Sequence, residues 1–262
     1  MKLRGEYRQV AAETGYNIML PRDNAYSDDE QWAPVSDLMA VIMLVFMLIA
    51  MILLTHFDLE KRSNGEKCDH TRSMLNSEFK DDFKDWKVEL DEDLTIRFTN
   101  QEVLFPVAKT IPTDWFVQRI RNFFPRYMEV IKNIGAEFGK DEIVAIRIEG
   151  HTSSEYGDKD TSVDNAYVKN MELSQGRARE IIKMVLDLPQ AENYSDIVRS
   201  QVRADGLSSG KLICGENGED KNSSRRVEFK LLTKSCQKAG VYDKSKPLTN
   251  SCPNTGEHNE SA

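Results

Sequence analysis

The hydropathy pattern of the chain is dominated by one long apolar run, "VSDLMAVIMLVFMLIAMILLT", from Val35 to Thr55. As a helix its 21 residues would extend about 31 Å, which matches the hydrocarbon thickness of a bilayer. A cleaved signal peptide would have a shorter apolar region, a basic leader and a small-residue cleavage site, and this sequence shows none of them. The pattern therefore predicts a single transmembrane helix.

After this run the apolar residues change period, which predicts a folded domain. A charged stretch from His56 to about His70 is typical of a linker. Leu75, Phe79, Phe83 and Trp86 then recur at helical spacing and predict a short amphipathic helix. The segment "WKVELDEDLTIRF" alternates with a period of two on both sides of an acidic turn, which indicates a β-hairpin.

The rest of the domain alternates between helix and strand. "EVLFPVAKTIP" predicts a short extended piece, and "TDW" predicts the capped start of a helix that reaches Gly135 or Gly139 and is kinked or divided at Pro125. "EIVAIRIEG", "VRSQVRADGLS" and "RRVEFKLLT" predict strands, and "NMELSQGRAREIIKMVLDL" predicts another helix. This order indicates an α/β (α+β) sandwich with helices on one face of a mixed sheet.

These elements divide the chain into five predicted segments. They are a tail (1–34), a transmembrane helix (35–55), a linker with an amphipathic helix (56–84), a globular domain (85–236) and a carboxy-terminal tail (237–262) that is expected to be disordered.

Charge and cysteine content narrow the function classes. The net charge is -8 and the sequence has no long basic stretch, so nucleic acid is not expected as a partner. Four cysteines, Cys68, Cys214, Cys236 and Cys252, all follow the apolar run, which favours an oxidising compartment with three possible pairings. Four free thiols in a cytosolic domain is the alternative.

Two sequence signals disagree about orientation. Near the span, only Arg22 lies on the amino-terminal side, whereas Lys61, Arg62, Lys67 and Arg72 lie on the other side, so the positive-inside rule favours a cytoplasmic carboxy-terminal domain. We give more weight to the cysteines and to the motifs described next, which favour a periplasmic domain and a cytoplasmic amino terminus.

Four ordered motifs carry a family resemblance. "IRIEGHTSSE", "NMELSQGRAREI", "ADGLSSG" and "SRRVEF" resemble the peptidoglycan-binding signature of OmpA/MotB-like domains, over roughly residues 85–235. With one span that carries an acidic residue near its start, the layout resembles the B subunit of an ion-driven stator. The span and the "WKVELDEDLTIRFTNQEVLF" hairpin look most similar to the B subunits of the Zorya anti-phage defence system.

The resemblance implies a set of partners. It implies a homodimer anchored to peptidoglycan in the bacterial inner membrane, surrounded by a multi-span A subunit in a ratio of five A to two B. It implies a proton-driven motor subunit rather than an enzyme. A flagellar-type stator subunit for motility and a purely structural wall anchor are the alternatives.

Asp37 is the residue that this resemblance singles out within the span. As the third residue of the apolar run it would, together with Ser36, serve as a helix cap after Pro34. The alternative, favoured by the resemblance, is that Asp37 carries a proton between the two sides of the membrane. Few other oxygen ligands lie near it in sequence, which favours a proton over sodium.

A second set of residues is predicted to bind the wall peptide. Arg177 offers a planar guanidinium fork for a carboxylate, and Asn170 can donate hydrogen bonds to the peptide backbone and accept them from it. Leu173 lies between them on the same helix stripe. This stripe is expected near the amino-terminal end of the helix, where exposed N–H groups favour anions. Thr152 and Lys169 complete the predicted site. A cap role for Asn170 and a surface ion pair for Arg177 are the structural alternatives.

One residue departs from the family pattern. The family has Asp after Gly-His-Thr, where it is associated with the diaminopimelate ammonium, and this chain has Ser153. Acidic residues in the following loop are possible substitutes: Glu155, Asp158, Asp160 and Asp164.

The remaining polar residues suggest no further chemistry. Arg225 and Arg226 are interpreted as charged residues that keep an edge strand solvated. A second anion contact is the less favoured alternative. The four histidines, His56, His70, His151 and His258, show no metal-ligand spacing, so neither a metal nor a cofactor is predicted, and His151 is expected to form a structural hydrogen bond.

Overall fold

The structure, a computed structural model, describes residues 29–99, 104–157, 162–242 and 252, and for residues 29–35 it describes the backbone alone. Residues 1–28 of the predicted amino-terminal tail and most of the predicted carboxy-terminal tail lie outside the described residues. The chain divides into two units, Met1–His56 and Phe57–Ala262, and each is described by itself.

The first element is a long helix, α1, which runs from Asp29 to Trp86. From Ser36 onward it contains a segment long and apolar enough to cross a membrane, and none of that segment's most apolar window is buried. The prediction of one such helix is confirmed.

Residues 56–70 are helical, so the predicted linker is wrong. The stretch contains no proline, and most of its charged residues are good helix formers. Gly65 is its one strong helix breaker, at a cost of about 1 kcal/mol. The predicted amphipathic helix is therefore the end of α1, where Leu75, Phe79 and Phe83 are buried as expected.

The second unit is built on a mixed sheet. The described strands, in chain order, are β1 (Val88–Leu90), β2 (Thr95–Phe98), β3 (Ile143–Gly150), β4 (Val202–Gly206), β5 (Cys214–Gly215), β6 (Gly218–Glu219) and β7 (Val227–Thr233). Five of them form one sheet in the order β1-β2-β7-β3-β4, in which β3 and β4 alone are parallel, and β5 pairs with β6. The predicted hairpin is the antiparallel pair β1 and β2.

The described α-helices that follow α1 are α2 (Asp114–Phe138), α3 (Val163–Leu186), α4 (Ser195–Gln201), α5 (Lys221–Ser224) and α6 (Lys234–Lys238). Helix α2 is capped by Thr113 as predicted and continues through Pro125 without division. Helix α3 begins seven residues earlier than predicted, because Ser162 caps it and its hydroxyl accepts from the Asn165 N–H.

The segment predicted as a short extended piece is a compact loop in its described part. The Thr113 N–H donates to the Leu104 carbonyl at 3.0 Å, and the Lys109 N–H donates to the Pro106 carbonyl at 3.1 Å. The loop lies between β2 and α2 and brings Phe105 into the core.

One face of the sheet carries the core. Ile148, Phe98 and Phe229 are each at most 1% exposed, and the Phe123 ring of α2 lies 5.2 Å from that of Phe229. The ring centre of Phe79, near the end of α1, lies 5.0 Å from that of Phe123. The predicted sandwich, with helices against one face of a mixed sheet, is confirmed.

The opposite face of the sheet carries a row of charged residues at matching register. Glu89, Arg97, Glu228, Glu149 and Asp205 are successive cross-strand partners on β1, β2, β7, β3 and β4. Two carboxylates, Glu228 and Glu149, are thus direct neighbours, and like charges at that position destabilise a sheet unless cations lie between them.

Helix α3 lies so close to the strand ends that glycine is required there. A Cβ on Gly150 would overlap the Ser174 carbonyl, whereas Gly65 on α1 has open space around it. We expect Gly150→Ala to destabilise the domain by about 1–3 kcal/mol and Gly65→Ala to stabilise it by about 0.5–1 kcal/mol. Thermal melts of the purified full-length chain test this, and equal melting temperatures for the two variants would contradict the close approach.

Two disulfides, Cys68–Cys236 and Cys214–Cys252, use all four cysteines. The first joins α1 to α6 across 168 residues, a separation for which chain entropy predicts a stabilisation of about 2–5 kcal/mol. Thiol titration of the denatured chain should find free cysteines only after reduction. Four reactive thiols without reductant would contradict an oxidising compartment.

Candidate functional site

A group of polar residues lies where β3 ends and the chain turns toward α3. The His151 N–H donates to the Arg226 carbonyl at 3.0 Å, and the Thr152 N–H donates to the Ser208 carbonyl at 2.9 Å. Thr152 and Ser153 are therefore held beside the loop after β4, and both are buried, at 3% and 4% exposure. Ser153 stands where the resembling family has an acid, and its side chain is buried.

Asn170 organises this strand end from the opposite side. It is 2% exposed, and its amide nitrogen donates to the carbonyls of Ser153 and Glu155, both at 3.1 Å. Because α3 begins at Val163, Asn170 is neither a helix cap nor near exposed helical N–H groups. The prediction that Asn170 lies near a helix end that favours anions is therefore wrong.

Arg177 lies two turns further along the same stripe of α3 and contacts a different segment. Its Nε donates to the Lys109 carbonyl at 3.0 Å, and its guanidinium lies 5.0 Å from the centre of the Phe105 ring. Burial and the nearby charge of Arg225 lower the pKa of Arg177 to about 10. A buried cation in this electrostatic setting is stabilised by a bound anion.

The other predicted site residues surround these two. Leu173 is half-buried on α3 between Asn170 and Arg177, and Lys169 is exposed, with its ammonium 5.5 Å from the centre of the Tyr156 ring. The structure thus brings Asn170 and Thr152 to the strand end, while Arg177 contacts the loop after β2.

The arginine pair before β7 does not protect a sheet edge. Strand β7 lies in the middle of the sheet, so the edge-strand interpretation is wrong. Arg226 is buried and its Nε donates to Glu228 at 2.6 Å, whereas Arg225 is half-buried, with its Nε donating to the Lys221 carbonyl at 2.9 Å.

A carboxylate that sequence reasoning missed lies beside Ser153. The N–H and the hydroxyl of Ser154 both donate to Glu219, at 3.1 and 2.5 Å. Glu219 is 65 residues away in sequence and arrives on β6, so no spacing signal points to it. Of the substitutes considered from sequence, Glu155 is paired with Lys221, Asp164 is in the first turn of α3, and Asp158 and Asp160 lie outside the described residues.

Asp37 lies within α1 rather than at its start. Helix α1 begins eight residues before Asp37, so the alternative in which Ser36 and Asp37 cap the helix start is wrong. In the isolated chain Asp37 is exposed on the apolar helix. An exposed carboxylate at this position faces either headgroup water, lipid or another protein once the helix is in a membrane.

These features define a class of protein: a small α/β domain with buried polar residues at its strand ends, following one helix that is apolar and long enough to cross a membrane. No protein-family model matches the chain. It is 37% identical over 215 residues to the Zorya protein ZorB of Escherichia coli (strain Crooks), covering 79% of this chain and 89% of that protein. The chain belongs to the family of the Zorya protein ZorB.

Solved structures with similar domains have lower identity. A MotB like protein from Desulfovibrio vulgaris is 20% identical with a TM-score of 0.44, over 66% of this chain and 96% of that one. The cell wall anchor of the T6SS from Pseudomonas aeruginosa is 18% identical with a TM-score of 0.42, over 61% of this chain and 97% of that one.

Proposed function

We propose that the chain is the peptidoglycan-anchored stator subunit of a proton-driven inner-membrane motor that acts in anti-phage defence. The observation that carries the proposal is one ionisable residue, Asp37, inside the apolar part of α1, in a chain of the ZorB family. Within a transmembrane segment such a residue is costly and marks a proton or ion path by default.

The energy available to this residue is sufficient for mechanical work. One proton crossing 100 mV supplies about 2.3 kcal/mol, and each unit of pH difference adds about 1.4 kcal/mol. A lone helix is surrounded by lipid and cannot shield a proton path. The motor therefore requires a multi-span partner, with five copies expected around two copies of this chain, and alternating protonation of two Asp37 residues turns the partner ring.

The second unit supplies the fixed point. We assign the cleft formed by Asn170, Leu173, Arg177, Thr152 and Lys169 to the wall peptide, with the domain in the periplasm and the amino terminus in the cytoplasm. Arg177 binds a stem-peptide carboxylate, because its planar guanidinium can form a bidentate contact with an anion. The oxidised cysteines support the periplasmic side.

Glu219 is the carboxylate that we assign to the ammonium of the stem peptide. Ser153 offers none, and Glu219 is fixed one residue away by two hydrogen bonds from Ser154. Each carboxylate oxygen has a further lone pair that can accept from an ammonium group.

Deleting the gene tests the proposed class against its alternatives. We expect phages to plate more efficiently on the deletion strain and swimming to be unchanged. Reduced swimming with unchanged plating would instead identify a motility stator, and no change in either would leave only a structural anchor.

A further inference from the structure

Two carboxylates and one imidazole form a buried cluster near the strand end, and the proposed motor assigns them no role. We propose that Glu149, His151 and Glu228 form a structural binding site for a divalent transition-metal cation of the zinc class. The three residues lie on the ends of β3 and β7 and are at most 5% exposed. No feature of the sequence predicts this site, because Glu228 is far from the other two along the chain.

Two of the three distances between the ligand atoms match those expected around one ion. His151 Nε2 lies 3.4 Å from Glu228 Oε2 and 3.6 Å from Glu149 Oε2, and one ligand atom of each residue lies within 4.8 Å of the other two. Zinc bound tetrahedrally at about 2.0–2.2 Å places its ligand atoms about 3.3–3.6 Å apart. One imidazole with two carboxylates is a donor set that suits zinc more than calcium or magnesium.

The hydrogen bonding of the cluster is incomplete. Both imidazole nitrogens of His151 and both carboxylate oxygens of Glu149 are buried without a hydrogen-bond partner among the described residues. Buried polar atoms are almost always satisfied, because leaving one unsatisfied costs about 1–3 kcal/mol. An ion bound to His151 Nε2 and to the Oε2 atom of each carboxylate would satisfy two of these four atoms, His151 Nε2 and Glu149 Oε2.

The guanidinium groups around the cluster contact the Oε1 atoms of Glu228 and Glu149 and leave their Oε2 atoms available to bind an ion. Arg226 and Arg97 donate to Oε1 of Glu228, at 2.6 and 3.0 Å, and Arg147 lies 3.3 Å from Oε1 of Glu149. The Oε2 atoms of both carboxylates are the ones near His151. Arg147 is also paired with Asp205 at 2.6 Å, so part of its charge is already offset.

Lys211 is the group that an ion would displace. Its Nζ lies 3.6 Å from Glu149 Oε2, longer than a hydrogen bond, and its side chain is 31% exposed and can turn toward solvent.

A bound ion would fix the end of β3 relative to β7. An ion at this site would join β3 to β7 next to Thr152 and Ser153, which follow the end of β3 and are both buried. Its removal should therefore loosen the cleft without touching the residues assigned to the wall peptide.

The test uses the full-length chain purified in detergent with its disulfides intact. After treatment with a chelator, the chain is dialysed against zinc, manganese or magnesium chloride and its metal content is measured. We expect one zinc per chain, no magnesium, and a rise in Tm of about 5–10 °C at zinc concentrations 100-fold above Kd. Cobalt in place of zinc should give visible absorption bands of a tetrahedral site.

Variants separate this site from surface binding. His151→Asn and Glu228→Gln should lose the zinc, whereas His70→Asn, which alters an exposed His70–Glu137 pair, should retain it. Lys211→Met should bind zinc about tenfold more tightly, because it removes the competing charge. If the wild type and Lys211→Met both bind no zinc, or if His151→Asn binds as much zinc as the wild type, the site does not exist. The zinc measurements on the wild type and on Lys211→Met show whether the site exists even if the other variants fail to fold.

Discussion

Cells that carry Asp37→Asn should lose phage protection completely, while the chain is still made, inserted and bound to the wall. Asparagine has almost the same shape as aspartate but cannot take up and release a proton, so the substitution removes the charge change alone. A cell-survival assay after phage challenge, with membrane fractionation and sedimentation with isolated peptidoglycan, measures both parts of the expectation.

Ser36→Ala is the matched control for this variant. It changes the neighbouring polar residue on α1 and leaves the carboxylate in place. Asp37→Glu is a second control, which keeps a titratable group at a slightly different depth and should retain part of the protection. Full protection by Asp37→Asn would show that the carboxylate has no role in the motor.

The second large effect is expected at Arg177. Arg177→Ala should weaken binding to isolated peptidoglycan by about 10- to 100-fold, because a charge-assisted contact to a carboxylate contributes about 1.5–3 kcal/mol. Arg177→Lys keeps the charge but loses the planar fork, and it should show most of the same loss. Sedimentation of the full-length chain with sacculi measures the bound fraction.

Arg179 provides the matched control on the same helix. It lies two residues further along α3 on the exposed side, so Arg179→Ala should bind the wall normally. Arg177 also contacts the Lys109 carbonyl and the Phe105 ring, so its variants need a thermal melt to show that the domain remains folded. Wild-type wall binding by a folded Arg177→Ala would overturn the assigned role.

Much of the architecture was predictable because apolar periodicity reports which side of an element is buried. The span, the hairpin, the burial of Leu75, Phe79 and Phe83, and the cap at Thr113 all follow from local patterns. The linker prediction failed because a charged stretch with one glycine has the composition of an exposed helix as well as that of a linker.

The cleft was only partly predictable, because several of its contacts join distant parts of the chain. The motif residues Asn170 and Thr152 do lie at one strand end, but Glu219 reaches Ser154 across 65 residues and Lys109 reaches Arg177 across 68. Helix α3 also begins earlier than its apolar pattern suggests, since Ser162 caps a polar first turn. Sequence spacing contains no information on such long-range contacts.

The same limit applies to the charged face of the sheet. Arg226, directly before β7, could be interpreted as protecting a sheet edge until the strand order was known, and that order places β7 between β2 and β3. Only the strand order shows that Glu149 and Glu228 are cross-strand neighbours, with His151 close to both carboxylates.

Proton flux through the assembled complex tests the central claim most directly. The full-length chain and its multi-span partner are reconstituted into vesicles, a potential is imposed, and the internal pH is followed with a dye. We predict proton entry that depends on the potential with wild-type chain and with Ser36→Ala, and none with Asp37→Asn. Equal flux with wild type and Asp37→Asn would contradict proton transport by this residue.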